Sequence, residues 1–353
     1  MMIFCPNMII KSIAASLGSR RVSNDEVIEL IKEHSTAYQG NIKRATRIIR
    51  QLLKTSGLEE RRWCDRHEQP LDHVAMATNQ ALSECYLMPP YIDLLIYVGV
   101  GRGFLEPGNS HMIANALGFN KAQCFDIIDA CMSWVRALHL VDSLFKSGAY
   151  KNAIIINAEF NMIENGPLFP RNFALKNEEQ IYYTFPSYSI GEAATATLLI
   201  PKEPENFAFS FSTRPDLADL CTIPMNGYED FCHPNELIGA NGPLQFTSFG
   251  IDLHKSGQDE SIAVYKAMAK NKKQVDKIFV HASSKKEWDL YGQAIGIADK
   301  IHHIYPLTGN LVSASIPAAM VDAIKSDHLK RHERVALWVG SSGMSFNATH
   351  FVF

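Results

Sequence analysis

Phe125-Asp126-Ile127-Ile128-Asp129-Ala130-Cys131-Met132-Ser133-Trp134 is the stretch on which the reading of this chain turns. From Trp134 to Phe145 the apolar residues Trp134, Val135, Leu138, Val141, Leu144 and Phe145 recur at three- and four-residue steps, the stripe of a helix packed on a core. Lys146-Ser147-Gly148 closes that helix in the manner of a C-cap. The spacing therefore puts Cys131 in the first turn, where unpaired N–H groups and the positive end of the helix dipole are expected to stabilise a thiolate and lower its pKa. The competing reading is a buried, inert cysteine, because free cysteine is among the most buried residue types.

An internal repeat argues for the first reading. Val141-Asp142-Ser143-Leu144, Lys146-Ser147 and the strand-like Ala153-Ile154-Ile155-Ile156 are answered about 180 residues later. There Val321-Asp322-Ala323-Ile324, Lys325-Ser326 and Val335-Ala336-Leu337-Trp338-Val339 follow in the same order. Upstream, Ile92 to Gly99 is echoed by Val275 to His281, and Gly309-Asn310 is read as the second copy's counterpart of Ala130-Cys131. A duplicated βαβα unit follows, with halves over 1–200 and 201–353. Two buried helices related by a pseudo-dyad would bring their N-terminal ends together, and with them Cys131, Asn310 and the strand-end His281.

The chain resembles the thiolase-like condensing enzymes, and within them the β-ketoacyl-ACP synthase III group. The resemblance rests on Thr55-Ser56-Gly57-Leu58-Glu59-Glu60-Arg61, Phe125 to Cys131, Asn157-Ala158-Glu159, Gly191-Glu192-Ala193-Ala194, His281, Gly309-Asn310 to Ser315, and Gly340-Ser341-Ser342-Gly343-Met344-Ser345, in that order along most of the chain. It implies an α/β fold of two duplicated halves in a five-layered α-β-α-β-α sandwich. It also implies a Cys131, His281, Asn310 triad in which Cys131 carries an acyl group from a thioester. His281 and Asn310 would stabilise an enolate, and the backbone N–H groups of Cys131 and Ser342 would form an oxyanion hole. Taken singly, His281 is an ordinary strand-end histidine and Asn310 an ordinary helix cap.

Arg102-Gly103-Phe104-Leu105-Glu106-Pro107 resembles a segment of the acyl-CoA condensing enzymes of long-chain olefin biosynthesis, which join two fatty acyl thioesters head to head. In that group the glutamate enters the partner's active site as the base that removes an α-proton. Glu106 in that place implies Claisen condensation without decarboxylation; as a solvated glutamate before a turn proline it implies nothing. The open alternatives are a decarboxylative synthase using malonyl-ACP, acyl transfer to an oxygen or nitrogen nucleophile, and a non-catalytic subunit of a heterodimer. Departures from the family pattern are Ser284, where an asparagine is usual, and Gln51 and Thr55, where a tryptophan and an arginine clamp the CoA adenine. Those two changes weigh towards an acyl carrier protein over free CoA as the carrier.

At 353 residues, 46% hydrophobic and net charge -3, the chain is long enough for a large core and has no positive excess for nucleic acid. Seven cysteines without a Cys-x-x-Cys pair argue against a disulfide framework or a zinc site and for a reducing compartment. Met1-Met2-Ile3-Phe4-Cys5 lacks a basic n-region, and no run reaches the roughly 18 apolar residues of a membrane span. The expectation is a cytoplasmic homodimer, or a heterodimer with a related subunit, with no metal and no cofactor beyond acyl-CoA or acyl-ACP substrates. The irregular segment 161–189 is expected to cap the site or the dimer contact, with Phe169, Phe173, Tyr182 and Tyr183 as tunnel walls or interface packing. The region 226–247 is a second candidate cover. Lys270 to Lys273 and Lys330-Arg331-His332 are solvated helix ends or docking points for an acidic carrier, and adjacent His302 and His303 make a poor metal pair.

Overall fold

A computed structural model describes residues 7–164, 166–202, 207–270 and 274–353. The opening Met1 to Cys5 and most of the basic run at 270–273 lie outside them. Two five-stranded mixed sheets organise the chain. The first runs Asn7–Leu17, Ala193–Lys202, Ala153–Glu159, Leu94–Val98, Gln123–Ile127 across its width. The second runs Ala208–Thr213, Ser345–Val352, Arg334–Ser341, Lys277–Val280, Ile301–His302. In each sheet the last three strands are parallel and the first two antiparallel to their neighbours, so the repeat seen in the sequence extends to all five strands.

The strands explain the layers. In Leu94–Val98, Leu94, Ile96 and Val98 enter one apolar cluster while Leu95 and Tyr97 enter another. In Arg334–Ser341, Val335, Leu337 and Val339 face the first cluster and Ala336 and Trp338 a third. Side chains alternate across a strand, so a strand apolar at every position has both faces covered. The shared middle cluster holds the helices Ser133–Lys146 and Ser315–Lys325 between the sheets. Pro70–Ser83 covers the outer face of the first sheet, and Gly250–Ala269 with Lys285–Ala294 that of the second. This is the expected five-layered sandwich. Among the described residues no helix is long and apolar enough to cross a membrane.

Each central helix is entered in the same way. Ala130–Met132 and Val312–Ala314 are single 3-10 turns directly ahead of the helices. Both begin on a non-glycine residue with positive φ, Ala130 at 43° and Val312 at 51°. A β-branched residue there is a conformational outlier, and such strain concentrates at functional sites. The serine opening each helix donates back to that residue's carbonyl, Ser133 Oγ to Ala130 at 2.7 Å and Ser315 Oγ to Val312 at 2.8 Å. The geometric counterpart of Cys131 is therefore Ser313, and the pairing of Cys131 with Asn310 expected from the sequence is off in register. Asn310 lies on the approach to the second turn. The central helix of the second half is shorter, 11 residues against 14, and the sequence match through Val141 and Val321 absorbed the difference.

Candidate active site

Cys131 lies in the 3-10 turn, one step ahead of the α-helix whose first turn was expected to contain it. The turn is braced on both sides. Asp129 N–H donates to Ser133 Oγ at 2.8 Å, and the Arg136 guanidinium holds the Asp129 carboxylate at 2.8 Å. Ser341, at the end of a central strand of the other sheet, accepts the Met132 N–H at 3.2 Å and donates to the Asp129 carbonyl at 3.3 Å. One serine thus clamps the cysteine turn from across the pseudo-dyad.

The structure brings Cys131, His281 and Asn310 to the wall of one cavity of about 720 Å³. Ile128, Leu168, Phe185, Ile251, Leu253 and Phe346 supply apolar wall, and Ser341 and Ser342 line the cysteine end. His281 extends the strand Lys277–Val280, its N–H donating to the Trp338 carbonyl at 3.1 Å; its Nδ1 has no partner among the described residues. Burial, with nearby His254 adding and the Val312 carbonyl opposing, pushes its pKa down to about 3. The ring is neutral at physiological pH.

Asn310 is fixed by glycines. Asn310 N–H donates to the Ser189 carbonyl at 2.8 Å, and Gly191 N–H returns a bond to the Asn310 carbonyl at 2.9 Å. Gly309 has φ +71°, and a Cβ on it would meet the Ser189 carbonyl oxygen at 2.4 Å, so only glycine fits. Beneath this contact the buried Arg61 donates to the Tyr188 and Val22 carbonyls and to Asn24 Oδ1. Asn310 Oδ1 accepts the Val312 N–H at 2.8 Å, leaving the Nδ2 hydrogens as donors for a ligand.

The expected lowering of the Cys131 pKa is reversed. Burial pushes the thiol well above its ordinary value, with Cys221 and Glu159 adding to the rise and the backbone N–H opposing it. One short turn of dipole does not offset a desolvated site. In the resting protein Cys131 is a thiol, and its proton has to leave as it attacks.

Glu106 is exposed and does not line the cavity of its own chain. Its loop is nevertheless held: Asn109 Oδ1 accepts the Gly103 and Phe104 N–H groups at 3.2 and 3.1 Å, and Asp126 accepts those of Asn109 and Ser110. Phe104 and Leu105 beside it are exposed, as is Ile128 ahead of the cysteine.

Other expectations are redistributed. Phe173 is fully buried against Trp63, Phe169 and Tyr188; Tyr182 is exposed, and Tyr183 packs on Phe249. None of the four aromatics lines the cavity, which takes Pro167, Leu168, Phe185 and Pro186 from the same segment and Phe246 from the second irregular region. Thr55 is at the wall and accepts from Gln51 Nε2 at 3.1 Å, while Ser284 caps the helix Lys285–Ala294. His302 and His303 pair separately, with Asp322 and Asp289, each at 2.8 Å.

His254 and Cys221 are among the wall residues that the sequence did not single out. His254, its pKa pushed down to about 4 by burial, lies on Gly250–Ala269 with its Nδ1 3.3 Å from the Tyr291 hydroxyl. Cys221, in the short strand Cys221–Thr222, is raised to about 11 by burial while Ser248 and Ser342 hydroxyls oppose the rise. Neither belongs to a repeat or a motif, so no local signal marked them.

Comparison with known proteins bears on the fold and on the C-terminal part of the chain. Residues 266–353 match the family model for the C-terminal region of 3-oxoacyl-[acyl-carrier-protein] synthase III. Over that C-terminal quarter of its length the chain is similar to this family. Its relatives include the acyl-CoA:acyl-CoA alkyltransferase of Xanthomonas campestris, 22% identical over 86% of this chain and 88% of that one. The β-ketoacyl-[acyl-carrier-protein] synthase III of Clostridium perfringens is 27% identical over 82% and 86%. Xanthomonas campestris OleA, crystallised with lauric acid and lauroyl-CoA, superposes over 99% of this chain and 100% of its own with a TM-score of 0.82 at 18% identity, which fixes the fold.

Proposed function

We propose that the protein loads a fatty acyl group on Cys131 and condenses it head to head with a second acyl or β-ketoacyl thioester. The observation that carries this reading is the placement of Cys131, His281 and Asn310 on one largely apolar cavity, with Cys131 at the end of a central helix. The volume lies within the ~300–1,000 Å³ usual for ligand sites. Each methylene buried there gains roughly 0.8 kcal/mol before ordering costs, so affinity for a fatty acyl chain rises with its length.

Chemically, the Cys131 sulfur attacks the donor thioester carbonyl, its proton goes to the departing carrier thiolate, and an acyl-cysteine remains. The backbone N–H groups of Cys131 and Ser342 are assigned to the oxyanion. For the second thioester, the Asn310 amide and the neutral His281 ring donate to the carbonyl as an α-proton is removed. The enolate carbon attacks the acyl-cysteine carbonyl, and the Cys131 thiolate leaves. Glu106 is the base, presented to the cavity of a second copy. The support is an exposed carboxylate on a pinned loop, flanked by exposed Phe104 and Leu105 and by the edge strand Gln123–Ile127. The reading includes the halves 1–200 and 201–353, whose boundary falls at the end of the strand Ala193–Lys202, and a homodimer or a heterodimer with a related subunit. Its cytoplasmic setting is supported by seven cysteines with no Cys-x-x-Cys pair.

Intact-protein mass spectrometry after incubation with acyl-CoA and acyl-ACP donors tests the reading. An adduct in the wild type that is lost in Cys131→Ala is expected, and its mass identifies chain and carrier. Equal adducts in both proteins, or none from any donor, would sink it.

A further inference from the structure

Away from the cavity, Cys64, Glu68 and His73 bring a sulfur, a carboxylate oxygen and an imidazole nitrogen to within 4.8 Å of one another. Cys64 follows the strand Glu60–Trp63, Glu68 lies in the loop beyond it, and His73 is in the first turns of the helix Pro70–Ser83. His73 is 1% exposed. Its Nδ1 sits 2.8 Å from Ser16 Oγ, and its Nε2 is buried with no hydrogen-bond partner among the described residues. The facing atom is Glu68 Oε2 at 3.6 Å, too far for a hydrogen bond. Two ligands at about 2.0 to 2.1 Å from a tetrahedral metal are separated by nearly that distance.

The rest of the cluster is also short of positive charge. Glu68 Oε2 accepts the Ser19 and Asp65 N–H groups at 3.1 and 2.7 Å, which leaves Oε1 for another partner. Behind Cys64, the buried Glu192 accepts the Cys64 and Met162 N–H groups at 2.8 and 2.9 Å. The neighbouring cation, Arg62, directs its guanidinium to the Gly18 and Ser19 carbonyls instead. A thiol, an imidazole and two carboxylates thus converge on a buried imidazole nitrogen that makes no hydrogen bond among the described residues.

We propose that Cys64, Glu68 and His73 form a site for a divalent cation of the zinc class, with Ser16 orienting the imidazole from behind. A sulfur and nitrogen donor set selects zinc over magnesium or calcium, and a hydrogen bond on the far ring nitrogen is the usual support of a metal-bound histidine. The Glu68 side chain is 26% exposed, so the fourth position opens to solvent and gives the ion a route in. Glu192 adjoins Gly191, which holds the Asn310 carbonyl, so the ion would stiffen one support of the cavity. The set has one cysteine at a spacing of four and five residues, which is why the lack of Cys-x-x-Cys led the sequence reading to expect no metal.

The test uses the full chain, stripped with chelator and equilibrated with Zn²⁺, then with Co²⁺, in a Cys131→Ala, Cys221→Ala background so that the cavity thiols do not bind metal. About one zinc per chain and a sulfur-to-cobalt charge-transfer band are expected. Glu68→Gln, at the surface, and Cys64→Ser each lose the stoichiometric zinc, and Cys64→Ser also loses the band, with circular dichroism confirming that both are folded. Ser16→Ala weakens binding by roughly 10- to 100-fold. Substoichiometric zinc in the parent chain, or full zinc retained by either folded ligand variant, overturns the proposal.

Discussion

Acidification gives the sharpest test of how His281 is held. Its side chain is buried, and that burial takes the imidazole down to about 3, whereas in the unfolded chain it titrates near ~6.5. A depressed pKa means that the folded state refuses a proton the unfolded state accepts. The stability contributed is complete above the unfolded value and is lost as pH falls through it towards the folded one. At about pH 5 the unfolded chain binds nearly one proton at this residue and the folded chain almost none. Relative to about pH 7.5, the residue then costs about 2 kcal/mol, rising to about 3 kcal/mol near pH 4. His281→Asn removes the titration while keeping a polar side chain. Urea unfolding of both proteins at the two pH values isolates the effect, because carboxylate titrations are common to both. The wild type should lose about 2 kcal/mol more than the variant on going to about pH 5. Parallel losses would mean that the ring is solvated in the folded state, and would undo the argument that a neutral His281 faces the substrate.

The remaining predictions concern the chemistry more directly. Glu106→Gln should leave acylation of Cys131 intact while lowering condensation by about 100-fold or more, as expected for loss of a general base; unchanged product formation, with carbon dioxide released from malonyl-ACP, would transfer the protein to the decarboxylative reading. Because burial raises the Cys131 thiol, iodoacetamide labelling of a Cys221→Ala protein should climb about tenfold per pH unit between about pH 7 and 9; a plateau below about pH 8 would show that the helix end outweighs desolvation. Gly309→Ala puts a Cβ 2.4 Å from the Ser189 carbonyl and a side chain at φ +71°. It should cost roughly 1–3 kcal/mol of stability and reduce condensation more than acylation, because it displaces Asn310 and leaves the cysteine turn alone. Equal losses in the two half-reactions would count against that division of roles.

What was legible in the sequence was local or periodic. The stripe from Trp134 to Phe145, the doubly apolar strands and the repeat marked the duplicated architecture, because helix and strand periods and two-sided burial are written residue by residue. Gly309-Asn310 was legible through the repeat and the family motif, and Cys131 through its place at the start of a helix. The tertiary structure alone decided the rest, since it depended on which distant segments meet. Cys131 turned out to mirror Ser313, whose hydroxyl is engaged by the buried Glu159 and by Asn157. Its thiol is raised because desolvation sums over every wall of the cavity, and a helix end seen in isolation counts only one of them. His254 and Cys221 entered the cavity from segments without a motif, and Phe173 left it for the core. Cys64, Glu68 and His73 gathered around a buried nitrogen whose lack of a partner exists only once strand, loop and helix have packed.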